Sequence, residues 1–293
     1  EQILSARQRD SGVEEPSYAH KVQAKQPKTF DYPKPLTTQL SNGIKVLYHA
    51  NTLTPKIDLV VELKTKWFND PEDKQGLYNF VMRMLTEGTK KYSAAEFADE
   101  LESRGMSLSA YPGGITMSML SSDFEKGLEL LMEVLTGAVF NDEQIEKVRN
   151  QILVDIKQFW DDPRSFTSQL VREKVFAGHP YHKNTLGKKE VIESITKKDL
   201  VDFYNAIMSA DGAKIAVVGD IKKYDVKNIL DKHLGVLKKT PVADTVFPSL
   251  KAIQEQDIDY YINRDQVVLS FAGLSVDRKN KDYDKLLLFD QIF

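Results

Sequence analysis

Two hydrophobic periods divide the chain. Apolar residues fall at helical spacing in some stretches and run together or alternate in others, and the change from one to the other marks the predicted elements. Residues 57–63 are apolar and β-branched, which predicts a buried strand. Residues 40–48 read as strand, turn and strand, with Asn42-Gly43 supplying the positive φ angles of a tight hairpin. Between 76 and 85, Leu77, Phe80, Val81, Met84 and Leu85 recur at helical spacing, and Gly88-Thr89 closes the segment. Ser93 caps a further helix, with Glu96 in the capping-box position, and that helix ends near Gly105.

Strands over 106–111 and 115–121 flank Pro112-Gly113-Gly114. Asp123 starts a helix whose stripe is Phe124, Leu128, Leu131 and Leu135. Asp142 starts another, with Ile145, Val148, Ile152, Ile156 and Phe159 facing the core. Pro163 suits the first turn of a third helix that reaches Phe176. Helices over 196–208 and 224–234 enclose a strand over 213–219. Strands at 257–262 and 266–272 and a helix from Lys279 restart the pattern. Antiparallel strand pairs mixed with runs of helices place the chain in the α+β class.

This reading divides the 293 residues into a polar arm (1–35), a first domain (36–240), a linker (241–254) and the beginning of a second domain (255–293). Pro16, Pro27, Pro33 and Pro35 keep the arm from being helical, and Pro241 and Pro248 fall in the second linker. No basic-then-apolar leader opens the chain, which ends inside an expected helix, so it reads as a portion of a longer polypeptide.

Composition narrows the function. A net charge of −3 gives no electrostatic footprint for nucleic acid. The longest apolar runs, such as residues 286–289, fall far below the ~18 residues of a membrane-spanning helix. The absence of cysteine removes thiol nucleophiles, disulfides and Cys-based zinc sites. No Gly-rich phosphate cradle or nucleophile elbow is present.

A resemblance supplies what the patterns cannot. Asn42-Gly43-Ile44-Lys45-Val46, residues 76–85 (GLYNFVMRML) and Gly88-Thr89-Lys90-Lys91-Tyr92 resemble the opening of the insulinase/pitrilysin-type zinc metallopeptidases. Asp161-Asp162-Pro163, His179-Pro180-Tyr181, Leu186-Gly187, Asp199-Leu200 with Phe203-Tyr204, and Val217-Val218-Gly219-Asp220 come next in the family's order. The likeness covers residues 36–293 and implies the family's fold: two similar α+β domains per half, and two halves closing around a chamber.

Active members carry His-x-x-Glu-His on a helix, because positions i and i+4 share one face and let two imidazoles reach one Zn²⁺ while the Glu activates its water. Aligned on the flanking glycines, the two His positions are Asn79 and Arg83, the Glu position is Met82, and the later Glu ligand corresponds to Asp155. A neutral amide, a thioether, a permanent cation and one carboxylate are not a zinc-ligand set. An ion pair between Arg83 and Asp155 is expected in that place, since a charge on an apolar stripe needs a partner.

The resemblance therefore implies no catalytic residue, metal or cofactor on this chain, with zinc expected only in an active half. That half, on the same chain or as a separate subunit, is the implied partner, and peptide is the implied substrate of the assembly. Leu108, Ser109 and Ala110 align with the edge strand on which active halves hold peptide. The alternative is an assembly subunit of the same fold without a protease role, like the core subunits of the respiratory cytochrome complex. Bacterial relatives lean the compartment toward the periplasm or envelope. His179 and His182 are read as a loop common to all halves, His20, His49 and His233 as surface residues, and Trp67 and Trp160 as packing residues.

Overall fold

The computed structural model describes residues 31–250, 253–261, 263 and 267–292. The arm's residues 1–30, His20 among them, lie outside the described residues.

A six-stranded sheet in the order β1-β2-β6-β3-β5-β4 organises residues 36–219. Its strands are β1 (Leu36–Gln39), β2 (Lys45–Ala50), β3 (Lys56–Glu62), β4 (Ser107–Tyr111), β5 (Gly114–Leu120) and β6 (Lys214–Gly219). Every pairing is antiparallel except β2 with β6. Alternation sorts the faces: Ile57, Leu59, Val61, Ile115, Met117, Met119, Ile215 and Val217 are buried. Asp58, Thr116, Ser118 and Val218 turn to the open side.

The buried face is covered by α1 (Leu77–Met84), α2 (Ala94–Glu102), α3 (Phe124–Gly137), α4 (Asp142–Asp161), α6 (Lys189–Ser194), α7 (Lys197–Ile207) and α8 (Val226–Leu234), whose apolar residues join one core, while α5 (Pro163–Val175) packs on α4 outside it. The predicted stripes of α3 and α4 are buried except at Phe159, which is half-buried in α4's last turn, edge-to-face on Trp160. Ser93 and Glu96 form the capping box of α2, and Thr196 with Asp199 forms another at α7. Among the described residues, no helix is long and apolar enough to cross a membrane.

Three expectations change. The β1–β2 connection is a five-residue turn, in which only Gly43 has positive φ, at 93°. Asn42 serves another purpose: its Nδ2 donates to the carbonyls of Leu234 (2.9 Å) and Leu237 (3.1 Å), satisfying the C-terminal end of α8. The described parts of 257–262 and 266–272 form no strand, because no neighbouring strand among the described residues offers them a ladder. The last helix, α9 (Tyr283–Ile292), starts later than Lys279 because the side chains of Asp277 and Asn280 take the backbone N–H groups of Lys279 and Asp282 as turns.

Candidate functional site on α1 and β4

Helix α1 is apolar nearly all round and is wedged between α4, α7 and β4. Its start is unusual. Gly76 stands at the N-cap with φ of 97°, in the left-handed region, and has no side chain with which to cap. The cap comes from Asp70, whose carboxylate accepts the N–H of Gly76 (2.7 Å) and of Tyr78 (2.9 Å). Asp70 is 4 % exposed, and burial pushes its carboxyl up to about 7 against the opposing pull of those two N–H groups and of Lys183. Lys183 donates to the carbonyl of Asp70 (2.6 Å), so the loop from 179 to 187 is tied to the same cap. Gly76 also touches this loop: a Cβ placed on it would lie 2.7 Å from the carbonyl oxygen of Leu186.

The aligned positions lie on this fixed helix. Asn79 and Met82 are buried. Arg83 reaches across to α4, where its Nη1 meets Asp155 at 2.7 Å, the expected ion pair. Its Nε donates to Asn79 Oδ1 at 3.3 Å. The pair is not buried as the apolar phase of α4 suggested: Arg83 is 31 % and Asp155 39 % exposed, because Asp155 flanks the buried row of Val148, Ile152 and Ile156 instead of joining it. The chemistry of these donors does not suit zinc: Asn79 spends its oxygen on Arg83, Met82 lies in the core, and a guanidinium stands between the helices.

Strand β4 lies next to α1 at the sheet's edge and, among the described residues, pairs only with β5. Leu108 and Ala110 lean inward, while Ser109 faces solvent. The outer backbone groups of the strand are free of any ladder among the described residues.

The described histidines lie elsewhere. His179 accepts the N–H of Tyr181 (3.2 Å) and its ring stacks on Phe247. His182 is placed by the carbonyl of His179. His233 corrects the surface reading: its side chain is 9 % exposed and faces Glu125 at 3.6 Å. His49 is half-buried on β2. Trp67 packs on the core and on Phe68, whereas Trp160 is an exposed rim residue between Phe159 and Phe166.

Sequence reasoning missed Asp70, Lys183 and Arg149. Arg149 places its guanidinium over Phe80 at 5.3 Å and donates to the carbonyls of Ile192 and Ile195, cementing α4 to α1 and α6. Asp70 had one signal, an acid shortly before a helix that opens on glycine.

Comparison with known proteins settles the family. The profile of the insulinase family (peptidase family M16) matches residues 45–189, and that of the peptidase M16 inactive domain matches residues 194–293. The chain belongs to the M16 peptidase family. Cytochrome b-c1 complex subunit 1 of Bos taurus is 23 % identical over 250 residues, which is 84 % of this chain and 52 % of that protein. An uncharacterized zinc protease of Rickettsia felis is 24 % identical over 208 residues, 69 % of this chain and 50 % of that one. The chain thus spans about half the length of these curated relatives. A peptidase M16 inactive domain from Pseudomonas fluorescens shares the fold, with a TM-score of 0.68 at 24 % identity over 75 % of this chain and 55 % of that one. The M16 fold carries the mostly antiparallel α+β sheet described above.

Proposed function

We propose that this M16 chain belongs to a non-catalytic half of a zinc metalloendopeptidase, one that closes the peptide chamber and supports a zinc-bearing half. That partner is on the same polypeptide or is a separate subunit. One observation carries the reading: Arg83 and Asp155, at two of the family's ligand positions, are bonded to each other at 2.7 Å. A guanidinium repels a divalent cation and its carboxylate partner is already engaged. Zinc then belongs to the active half alone. The chain's residual contact with peptide is at the β4 edge, through the backbone of Leu108, Ser109 and Ala110.

The test is metal content. After purification with excess zinc, the chain should hold far less than one equivalent. A variant combining Asn79→His, Met82→Glu, Arg83→His and Asp155→Glu should gain zinc. Stoichiometric zinc on the parent chain overturns the proposal.

The second reading is an assembly subunit without a protease role, favoured by the likeness to the bovine cytochrome b-c1 subunit over 84 % of the chain. Isolation of the native complex separates the two readings: a zinc-bearing M16 half in the complex supports the first, and its absence supports the second.

A further inference from the structure

Residues 241–247, the first part of the expected linker, are tied down along their length. Thr240 exchanges hydrogen bonds with Ser209, its N–H donating to Oγ (2.9 Å) and its carbonyl accepting from it (2.6 Å). The N–H of Val242 donates to Asp211 (3.0 Å). Lys64 Nζ donates to the carbonyl of Val242 (2.6 Å) and pairs with Asp244 (2.9 Å) and Asp211 (3.2 Å). Asn69 Nδ2 donates to Thr245 Oγ1 (2.7 Å). Phe247 ends the run, stacked on His179 with ring centroids 5.4 Å apart and leaning on Phe68 and Tyr181.

The charges agree with this geometry. The hydrogen bond that Lys64 donates to Asp244 leads in raising its ammonium above the ordinary value, and the Val242 N–H leads in holding Asp211 below its own.

The anchors are not scattered. Lys64, Phe68 and Asn69 lie on the short connection from β3 to α1. Asp70 follows on the same connection and caps α1 with its side chain, and Lys183 clamps it from the other side through the carbonyl of Asp70. The path from Phe247 to the first turn of α1 is continuous, made of hydrogen bonds, one ion-pair cluster and ring contacts.

We propose that residues 240–247 form a strap that couples the chain beyond Pro248 to helix α1: displacement of that later segment pulls on the 64–70 connection and loosens the Asp70 cap. The joint between the first domain and the second then lies after Phe247, not at Pro241. The helix that carries Arg83 senses the position of the second domain, whether or not this half takes part in proteolysis.

The chain has no cysteine, so a single Val246→Cys change accepts a nitroxide label cleanly, and Val246 is 81 % exposed. The label should report an immobilised backbone. Adding Phe247→Ala and Lys64→Met should mobilise it and raise hydrogen exchange at the amides of Gly76 and Tyr78 by about tenfold, while β3 and β5 amides stay unchanged. If the double release also loosens β3 and β5, Thr245→Val, which removes the strap's partner of Asn69 and leaves the bond from the Lys66 N–H to Asn69 in place, is read in its place and should raise exchange at the same two amides. A freely mobile label on the otherwise native chain overturns the strap. Unchanged exchange at Gly76 and Tyr78, on release of a strap that holds the label, overturns the coupling.

Discussion

Arg83 on α1 and Asp155 on α4 meet at 2.7 Å across the seam of the two helices, and both remain about one-third exposed. That exposure fixes the size of the interaction. Water screens the pair, so a double-mutant cycle with Arg83→Ala and Asp155→Ala should give a coupling of ~0.2–1 kcal/mol in urea unfolding. A coupling above ~3 kcal/mol is the mark of a desolvated pair and would contradict the geometry. The contact closes a place in the fold; it contributes little to holding the fold together.

What holds α1 is at its other end, and Gly76 is the sensitive point. Its φ of 97° is unfavourable for any residue with a Cβ, and an added Cβ would lie 2.7 Å from the Leu186 carbonyl and 2.8 Å from Ile192 Cδ1. Gly76→Ala should therefore destabilise the protein by ~2 kcal/mol or more, read as a lowered thermal midpoint. A loss below ~0.5 kcal/mol, typical of surface changes, would mean that the 186–187 loop is free to move aside.

Asp70 gives α1 a dependence on pH. Its carboxyl rises from 3.8 unfolded to about 7 folded, chiefly through burial. The folded state then binds the proton more tightly than the unfolded chain. The group's contribution to stability is greatest below its unfolded value and is lost as pH rises through about 7. The upper bound on that loss is about 4 kcal/mol, from ~1.4 kcal/mol per pH unit over the interval. Chemical denaturation between pH 4 and pH 8 should show this decline in the parent and a flatter profile in Asp70→Asn. Identical slopes in the two proteins would reject the raised value.

The parts of this architecture legible in the sequence are those with a local cause. The steps from Ile145 through Ile156 produce one buried face of α4, and the Ser93–Glu96 spacing produces a cap, because both depend on residues within a few turns. The Arg83–Asp155 pair was legible through family resemblance, since no local pattern joins two helices so far apart in the chain. Asp70 and Lys183 were not legible: their bond depends on the 179–187 loop returning to the start of α1. The parallel pairing of β2 with β6 escaped for the same reason, as did the strap, whose Pro241 and the Pro248 that follows it read as a free linker while its polar groups had partners waiting on Lys64, Asn69 and Asp211.

The exposed edge of β4 offers the sharpest test of contact with peptide. A strand added there would bond through alternate backbone groups, because successive groups of an extended peptide face opposite sides. A fluorescent, unstructured decapeptide should bind the chain weakly, as read by anisotropy. N-methylation of every second residue in the register facing Leu108, Ser109 and Ala110 should weaken it by about tenfold, since it removes ladder bonds worth ~0.5–1.5 kcal/mol each. Methylation shifted by one residue should leave binding nearly intact, because those N–H groups face water. Capture through side chains alone has no such two-residue period, so equal binding of the two methylated registers would remove β4 as the contact.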